Sequence, residues 1–358
     1  MEWWMILIII FSSLMVLFII GVPVAFSFLF INIIGVYIFW GGQAGIEQLI
    51  RSIYRSIASF ALLPVPLFIL MGEIMFLSGV AQNMMDTLDK WMGRIPGRLS
   101  MLAIGGGTLF STLSGSAMAG CAMLGSVLVP EMEKKGYSKQ MSIGPIIGSG
   151  GLAIMIPPSA LAVLLASLSR NSVGELLMAI IVPGIIMALL YAGYIIIRCT
   201  LQPELAPFYE VEKTPFVEKI ILTCKYVLPL GAIVFLVIGL MFLGIATPTE
   251  SAATGALGCF ILALIYRGWD FKIMTRAISS TLKITVMMFM IMAGAMAFSQ
   301  ILAFSGASSG MVKLATQLNM HPMFILIFMQ IILLFMGVFM EPLTIMMVTL
   351  PVYTPIIK

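Results

Sequence analysis

Long apolar runs follow one another along almost the whole chain, and most charged side chains stand in the short stretches between them. Only 19 basic and 15 acidic residues occur among the 358, whereas about a quarter of the residues of a soluble domain carry charge. A helix needs about 20 apolar residues to cross the hydrocarbon core of a bilayer. The sequence therefore predicts an all-α polytopic membrane protein that lies in a lipid bilayer.

The same composition excludes several classes of function. The single histidine, His321, and the three aspartates lie outside the apolar runs, so the chain lacks the residues for a histidine-rich metal site or an intramembrane aspartate pair. The four cysteines do not show the CxxC spacing of a zinc site, and no disulfide framework is expected. No basic cluster alternates with aromatic residues, so nucleic-acid binding is not indicated.

Two apolar runs, 99–113 and 117–130, are too short to cross a membrane comfortably and are separated by Ser114-Gly115-Ser116. This pattern predicts a re-entrant helical hairpin that enters and leaves the membrane on one side. Arg98 precedes the pair and Lys134 follows it. Because basic residues tend to lie in the cytoplasm, the hairpin is predicted to open inward.

A second pair of short runs, 322–336 and 343–357, flanks a break at 337–342. In both pairs the second run leads to a proline, fourteen residues beyond Ser116 in the first and fourteen beyond Glu341 in the second. By alternation the second hairpin opens outward. The two re-entrant hairpins therefore predict inverted repeats, which together with broken helices are typical of secondary transporters.

Two breaks are the best candidates for a binding site: Ser114-Gly115-Ser116, and Ile156-Pro157-Pro158-Ser159 in the run at 140–168. A broken helix frees backbone carbonyls from helical hydrogen bonds, and two prolines remove two amide donors. Carbonyl and hydroxyl oxygens suit a small alkali cation, and the amide ends of half-helices can face a carboxylate. The alternatives are close packing of small residues and a simple kink.

Glu73 and Glu341 are the carboxylates set deepest in apolar runs, and ionisable groups within a membrane are functional hypotheses. Glu341 stands at the second break, so Gly337 and Glu341 form a candidate second site. Glu250, in Thr247-Pro248-Thr249-Glu250, has instead the spacing of a capping box that begins a helix.

The pattern predicts four regions along the chain. The second repeat, which contains the second hairpin, stops at Lys358 before any equivalent of the break at 156–159, so it is expected to be truncated. The regions are N-terminal scaffold helices with an amphipathic arm at 1–98, a first transport repeat with the inward-opening hairpin at 99–198, a cytoplasmic loop at 199–225 and the second repeat at 226–358.

Five motifs occur in order along the chain. They are Pro64-Val65-Pro66 leading to Glu73, Ser114-Gly115-Ser116-Ala117, Pro130-Glu131 leading to Gly136-Tyr137, Ile156-Pro157-Pro158-Ser159 and Thr247-Pro248-Thr249-Glu250. Together they resemble the large membrane subunit, the DctM-like permease, of tripartite ATP-independent periplasmic (TRAP) transporters. The resemblance covers essentially the whole chain.

This resemblance implies an elevator-type, sodium-coupled importer of an organic acid in the bacterial inner (cytoplasmic) membrane. Na⁺ would be the coupling ion, and no other cofactor is implied. The subunit would pair with a small membrane subunit and receive its substrate from a periplasmic substrate-binding protein. By the same resemblance, one sodium ion would be held by Ser114, Ser116 and backbone oxygens around Ala153, Ile156 and Pro158, with Gly115 and Ser159 in the same sodium- and substrate-binding segments.

Two other functions compete with this one. A different sodium-coupled carboxylate symporter or antiporter of the ion-transporter type is the nearer alternative, although proton coupling would need a buried acidic residue, which neither break of the first repeat contains. An intramembrane serine hydrolase using Ser114 or Ser116 would need a general base, but the only histidine lies about 200 residues away. The chain is therefore not expected to be an enzyme.

Overall fold

The computed structural model describes residues 2–93, 95–114, 117–208, 215–268, 270–317, 321–338 and 340–357. Within these ranges the chain is helical and contains no β-strand, which confirms the all-α prediction. In chain order the α-helices of the described residues are α1 (Trp3–Ile19), α2 (Val24–Phe39), α3 (Gln43–Ile57), α4 (Pro64–Leu77), α5 (Val80–Met92), α6 (Arg98–Ser114), α7 (Ala117–Lys134), α8 (Lys139–Met155), α9 (Ala160–Ser169), α10 (Val173–Ala179), α11 (Ile181–Leu201), α12 (Phe216–Leu222), α13 (Leu228–Phe242), α14 (Pro248–Arg267), α15 (Phe271–Phe304), α16 (Ala307–Gln317), α17 (Pro322–Met336) and α18 (Pro342–Ile357).

Several of these helices are long and apolar enough to cross a bilayer. Five helical stretches of the described chain meet that requirement, and the bent pair α8 and α9 makes a sixth. Four further apolar helices, α1, α2, α17 and α18, have 15 to 17 residues. The chain is therefore a multi-pass membrane protein.

The helices pack into two compact units, residues 1–60 with 284–358 and residues 61–283. In the first unit α2 lies directly against α15, where Asn32 Nδ2 donates a hydrogen bond of 2.7 Å to the carbonyl of Gly294. A Cβ on Gly294 would lie 2.7 Å from Cβ of Phe28, so this contact requires glycine. The two units are sets of helices that pack together, whereas the predicted repeats are consecutive stretches of the chain. The units therefore do not test the repeat boundaries, which stay a prediction.

The helix ends follow local sequence signals. Thr247 Oγ1 accepts a hydrogen bond from the Glu250 amide, and the Glu250 carboxylate accepts one from the Thr247 amide. This confirms the predicted capping box at the start of α14. The arms of both predicted hairpins also form helices, α6 with α7 and α17 with α18, within a few residues of the predicted bounds.

The loop predicted over 199–225 is shorter than expected. Helix α12 begins at Phe216, and a π-helical turn at Thr223–Val227 joins it to α13. The assignment of 216–225 to a loop was therefore wrong. Its charged residues gave it a hydrophilic composition, but the Trp91 ring packs edge-to-face on Phe216, and its Nε1 donates to Thr223 Oγ1 at 2.7 Å, so the segment is held as helix.

Candidate ion-binding site

The break between α8 and α9 bends this span by 46°. Ile156 and Ser159 have extended backbone, and the peptide bond between Pro157 and Pro158 is cis. Ser159 Oγ accepts a hydrogen bond of 3.3 Å from the Ala162 amide, which makes Ser159 the N-cap of α9. The predicted interruption of the span at 156–159 is confirmed.

The break leaves backbone carbonyls without helical donors. In an α-helix the carbonyl of residue i accepts from the amide of residue i+4, but Pro157 and Pro158 have no amide hydrogen. Between described residues, no hydrogen bond ends on the carbonyl oxygens of Ala153, Ile154 or Met155. At the end of α8 the carbonyls of Ala153 and Ile154 thus lack their helical donors, and the Met155 carbonyl accepts no hydrogen bond from a described residue; carbonyl oxygens of this kind can coordinate a cation.

The start of α7 lies against α8, close to this break. A Cβ on Gly150 would lie 2.5 Å from Cys121 Sγ and 3.3 Å from the carbonyl oxygen of Ala117. The Cys121 thiol donates to the carbonyl of Ile146 at 3.3 Å. Gly150 precedes Met155 by five residues, or about 7 Å of helix. The contact of Ala117 and Cys121 with Gly150 therefore brings the tip of the first hairpin, where α7 begins, near the broken end of α8.

Some of the predicted ligands of this site lie within the described residues, and others do not. Ala153, Ile156, Pro158 and Ser159 lie at the break itself. Ser114 is described as the last residue of α6, whereas Gly115 and Ser116 lie outside the described residues. The contact between Ala117 and Gly150 therefore marks how closely the described chain approaches the break from the hairpin side.

The base of the first hairpin is tied to α5 by an ion pair between a buried arginine and a partly exposed aspartate. Arg98, which is 5% exposed, donates from Nε to Asp89 Oδ1 at 2.9 Å and from Nη2 to Oδ2 at 2.6 Å.

The Tyr137 hydroxyl accepts from the Leu99 amide at 3.4 Å, and burial raises the pKa of this phenol. Tyr137 thus stays neutral at physiological pH while it holds the α7–α8 turn to α6.

The candidate second site borders an open groove in the first unit. This groove has a volume of about 750 Å³ and is lined by the end of α1, the turn into α2 and the tip region of α17 and α18, including Glu341 and Thr344. Gly337 ends α17 and is not among the described lining residues. The groove thus places Glu341 beside apolar side chains, and the pairing of Gly337 with Glu341 in a second site stays a prediction.

The family model for the DctM component of tripartite ATP-independent periplasmic transporters matches residues 11–358. The chain belongs to this family. It is 30% identical to the C4-dicarboxylate TRAP transporter large permease protein DctM of Pseudomonas aeruginosa over 87% of this chain and 72% of that protein. It is 29% identical to the ectoine TRAP transporter large permease protein TeaC of Halomonas elongata, with 97% and 80% covered.

Further comparisons agree with this assignment. The sialic acid TRAP transporter large permease protein SiaM of Vibrio cholerae is 26% identical, over 94% of this chain and 77% of that protein. The crystal structure of the YdaH transporter of Alcanivorax borkumensis superposes with a TM-score of 0.61 at 14% identity and covers 88% of this chain and 73% of that one. That likeness concerns the fold alone. DctM proteins are transporter permeases, so this chain is not an enzyme.

In this DctM permease, Gly184 of α11 contacts the break between α8 and α9, which the sequence did not reveal. A Cβ on Gly184 would lie 2.6 Å from the carbonyl oxygen of Met155 and 2.8 Å from Cγ1 of Ile156. The backbone of α11 therefore supports the break directly. The only signal in the sequence is a glycine after Pro183 inside an apolar span, which small-residue packing explains equally well.

Gly184→Ala is expected to raise the half-saturating concentration for binding of radioactive sodium roughly threefold to tenfold, because the new methyl group displaces the Met155 carbonyl. The matched control is Gly193→Ala in the same helix, where a Cβ meets nothing within 4 Å. Both variants should melt within a few degrees of the wild type. Equal sodium affinity in the two variants would show that Gly184 does not position an ion ligand.

Proposed function

We propose that this DctM permease imports a small organic acid together with sodium. The observation that carries the proposal is the set of three carbonyls at the end of α8 that accept no hydrogen bond from described residues. Unwound backbone carbonyls of broken membrane helices are ligands for Na⁺ in secondary transporters. The break itself, Ile156 to Ser159, has no ionisable side chain to bind a proton.

The proposed sodium ligands are the hydroxyls of Ser114 and Ser116 with backbone oxygens around Ala153, Ile156 and Pro158. Gly115 and Ser159 complete the two segments that bind sodium and substrate. Gly337 and Glu341, the latter at the groove of the first unit, are proposed to contribute to a second cation site. A carboxylate beside apolar side chains is costly unless a cation or a proton accompanies it.

The substrate class and the partners rest on the family. Relatives carry names of transporters for C4-dicarboxylates, ectoine and sialic acid, so a carboxylate is the proposed class of substrate. A small membrane subunit and a periplasmic substrate-binding protein are the proposed partners, in the bacterial inner membrane. An elevator-type movement is the proposed mode of transport.

The test is uptake into proteoliposomes that contain the permease and its small membrane subunit, with the binding protein encoded beside them and radioactive succinate as the probe. Direct binding of radioactive sodium to the purified permease is measured in parallel. We expect an inward sodium gradient to drive uptake, with no uptake when potassium replaces sodium. Uptake driven by a proton gradient in sodium-free medium would contradict the proposal. Saturable sodium binding without succinate uptake would retain the ion site and reject C4-dicarboxylate as the substrate.

A further inference from the structure

Basic and aromatic side chains form a strip at one end of the second unit. The strip consists of Trp91, Lys219, Lys225, Tyr226, Tyr266 and Arg267, which come from α5, α12, the π-helical turn and α14. The ammonium group of Lys219 lies 5.8 Å from the centroid of the Trp91 ring. The rings of Tyr226 and Tyr266 lie 5.5 Å apart, and the Tyr266 hydroxyl donates to the carbonyl of Lys225. These contacts hold the strip together across three parts of the chain.

The cations of this strip are not neutralised by the described acidic residues. Lys90 forms an ion pair with Glu218 at 3.2 Å, and Arg98 pairs with Asp89. Within the described part of the chain, no carboxylate lies within ion-pair distance of Lys219, Lys225 or Arg267. The strip therefore presents uncompensated positive charge, and Lys225 and Arg267 are exposed.

The strip lies at the ends of two membrane spans. The stretch Phe216–Phe242 has 27 residues, or about 40 Å at 1.5 Å per residue, whereas the hydrocarbon core is about 30 Å thick. Its first turns therefore extend into the headgroup region. The span Pro248–Arg267 ends at the strip's own Arg267, next to Tyr266. Aromatic and basic side chains are favoured at this depth.

Exposed apolar side chains adjoin Lys219 on α12. Phe216 and Val217 are 65% and 67% exposed, and Ile220 and Ile221 are also exposed. A helix with apolar side chains beside lysines lies in the membrane interface, with the apolar side toward acyl chains and the ammonium groups toward phosphates. The surface is thus complementary to a lipid in both its apolar part and its charge.

We propose that this strip binds the headgroup of an anionic phospholipid. Lys219 and Lys225 contact the phosphate, and the rings of Trp91 and Tyr226 hold these two cations at the headgroup level. The Arg267 guanidinium donates instead to the carbonyl of Leu77 at 3.5 Å. Charge complementarity selects a headgroup with a net negative charge over a zwitterionic one. This proposal does not depend on sodium or on the transported substrate.

The test is native mass spectrometry of the purified full chain in micelles that contain phosphatidylglycerol and phosphatidylcholine in equal amounts. We expect the wild type to retain phosphatidylglycerol in about tenfold preference. The double variant Lys219→Gln with Lys225→Gln should retain the two lipids equally. The matched control, Lys134→Gln with Lys139→Gln, changes two exposed lysines on the α7–α8 connection and should keep the preference of the wild type.

Three results would overturn the proposal. The first is equal retention of both lipids by the wild type. The second is unchanged preference in the Lys219 and Lys225 double variant. The third is displacement of phosphatidylglycerol by inorganic phosphate, which would assign the strip to a free anion. Trp91→Leu, which removes the ring beneath Lys219 but no charge, should weaken the preference only in part and reports on the strip if the lysine variant fails to fold.

Discussion

Replacing Ser114 and Ser116 together by alanine is expected to raise the half-saturating sodium concentration at least tenfold, with normal amounts of folded protein. Each replacement removes one of the proposed hydroxyl ligands, and a hydrogen-bonding group that contacts a charge contributes about 1.5 kcal/mol or more. The backbone oxygens at the end of α8 remain, so weak binding should persist. Binding of radioactive sodium to the purified chain measures the effect.

The control for this pair is Ser126→Ala in α7, whose hydroxyl donates to the carbonyl of Met123 in its own helix. This variant should bind sodium like the wild type. If the double variant also binds like the wild type, Ser114 and Ser116 serve in packing, and the carbonyls at the break do not have the proposed serine partners.

Asp89→Leu is expected to destabilise the protein by about 3 kcal/mol or more, because it leaves the Arg98 guanidinium buried without its carboxylate. The loss should appear as a lower melting temperature in detergent and a smaller yield of monodisperse protein. Adding Arg98→Met should restore part of the stability, since two apolar side chains can replace a buried ion pair.

Lys90→Gln is the matched control for the ion-pair variants, because it breaks an exposed pair on the same helix, α5. We expect a cost of at most about 1 kcal/mol for this change. Equal losses for Asp89→Leu and Lys90→Gln would contradict the view that burial makes the Arg98 pair important for the base of the first hairpin.

The sequence by itself determined the helical class and the positions of the main breaks. Consecutive prolines remove amide donors wherever they stand in a helix, so Pro157 and Pro158 were sufficient to predict the end of α8. The capping box of Thr247 and Glu250 depends on four adjacent residues, and it too was predictable. The segment at 216–225 shows the limit, because its charged residues gave it the composition of a loop, while the contacts that its helix makes with Trp91 join residues more than a hundred positions apart.

Only the tertiary structure decided which parts of the chain support the breaks. Gly184 against Met155, Gly150 against Cys121 and Asn32 against Gly294 are contacts between separate helices, and no periodicity in the sequence identifies the partner of each small or polar residue. The physical reason is that a break depends on which backbone donors are missing locally, whereas its environment depends on close packing between helices distant in sequence. The missing backbone donors of a break can be derived from adjacent residues. The packing around the break is fixed only when all the helices are in place.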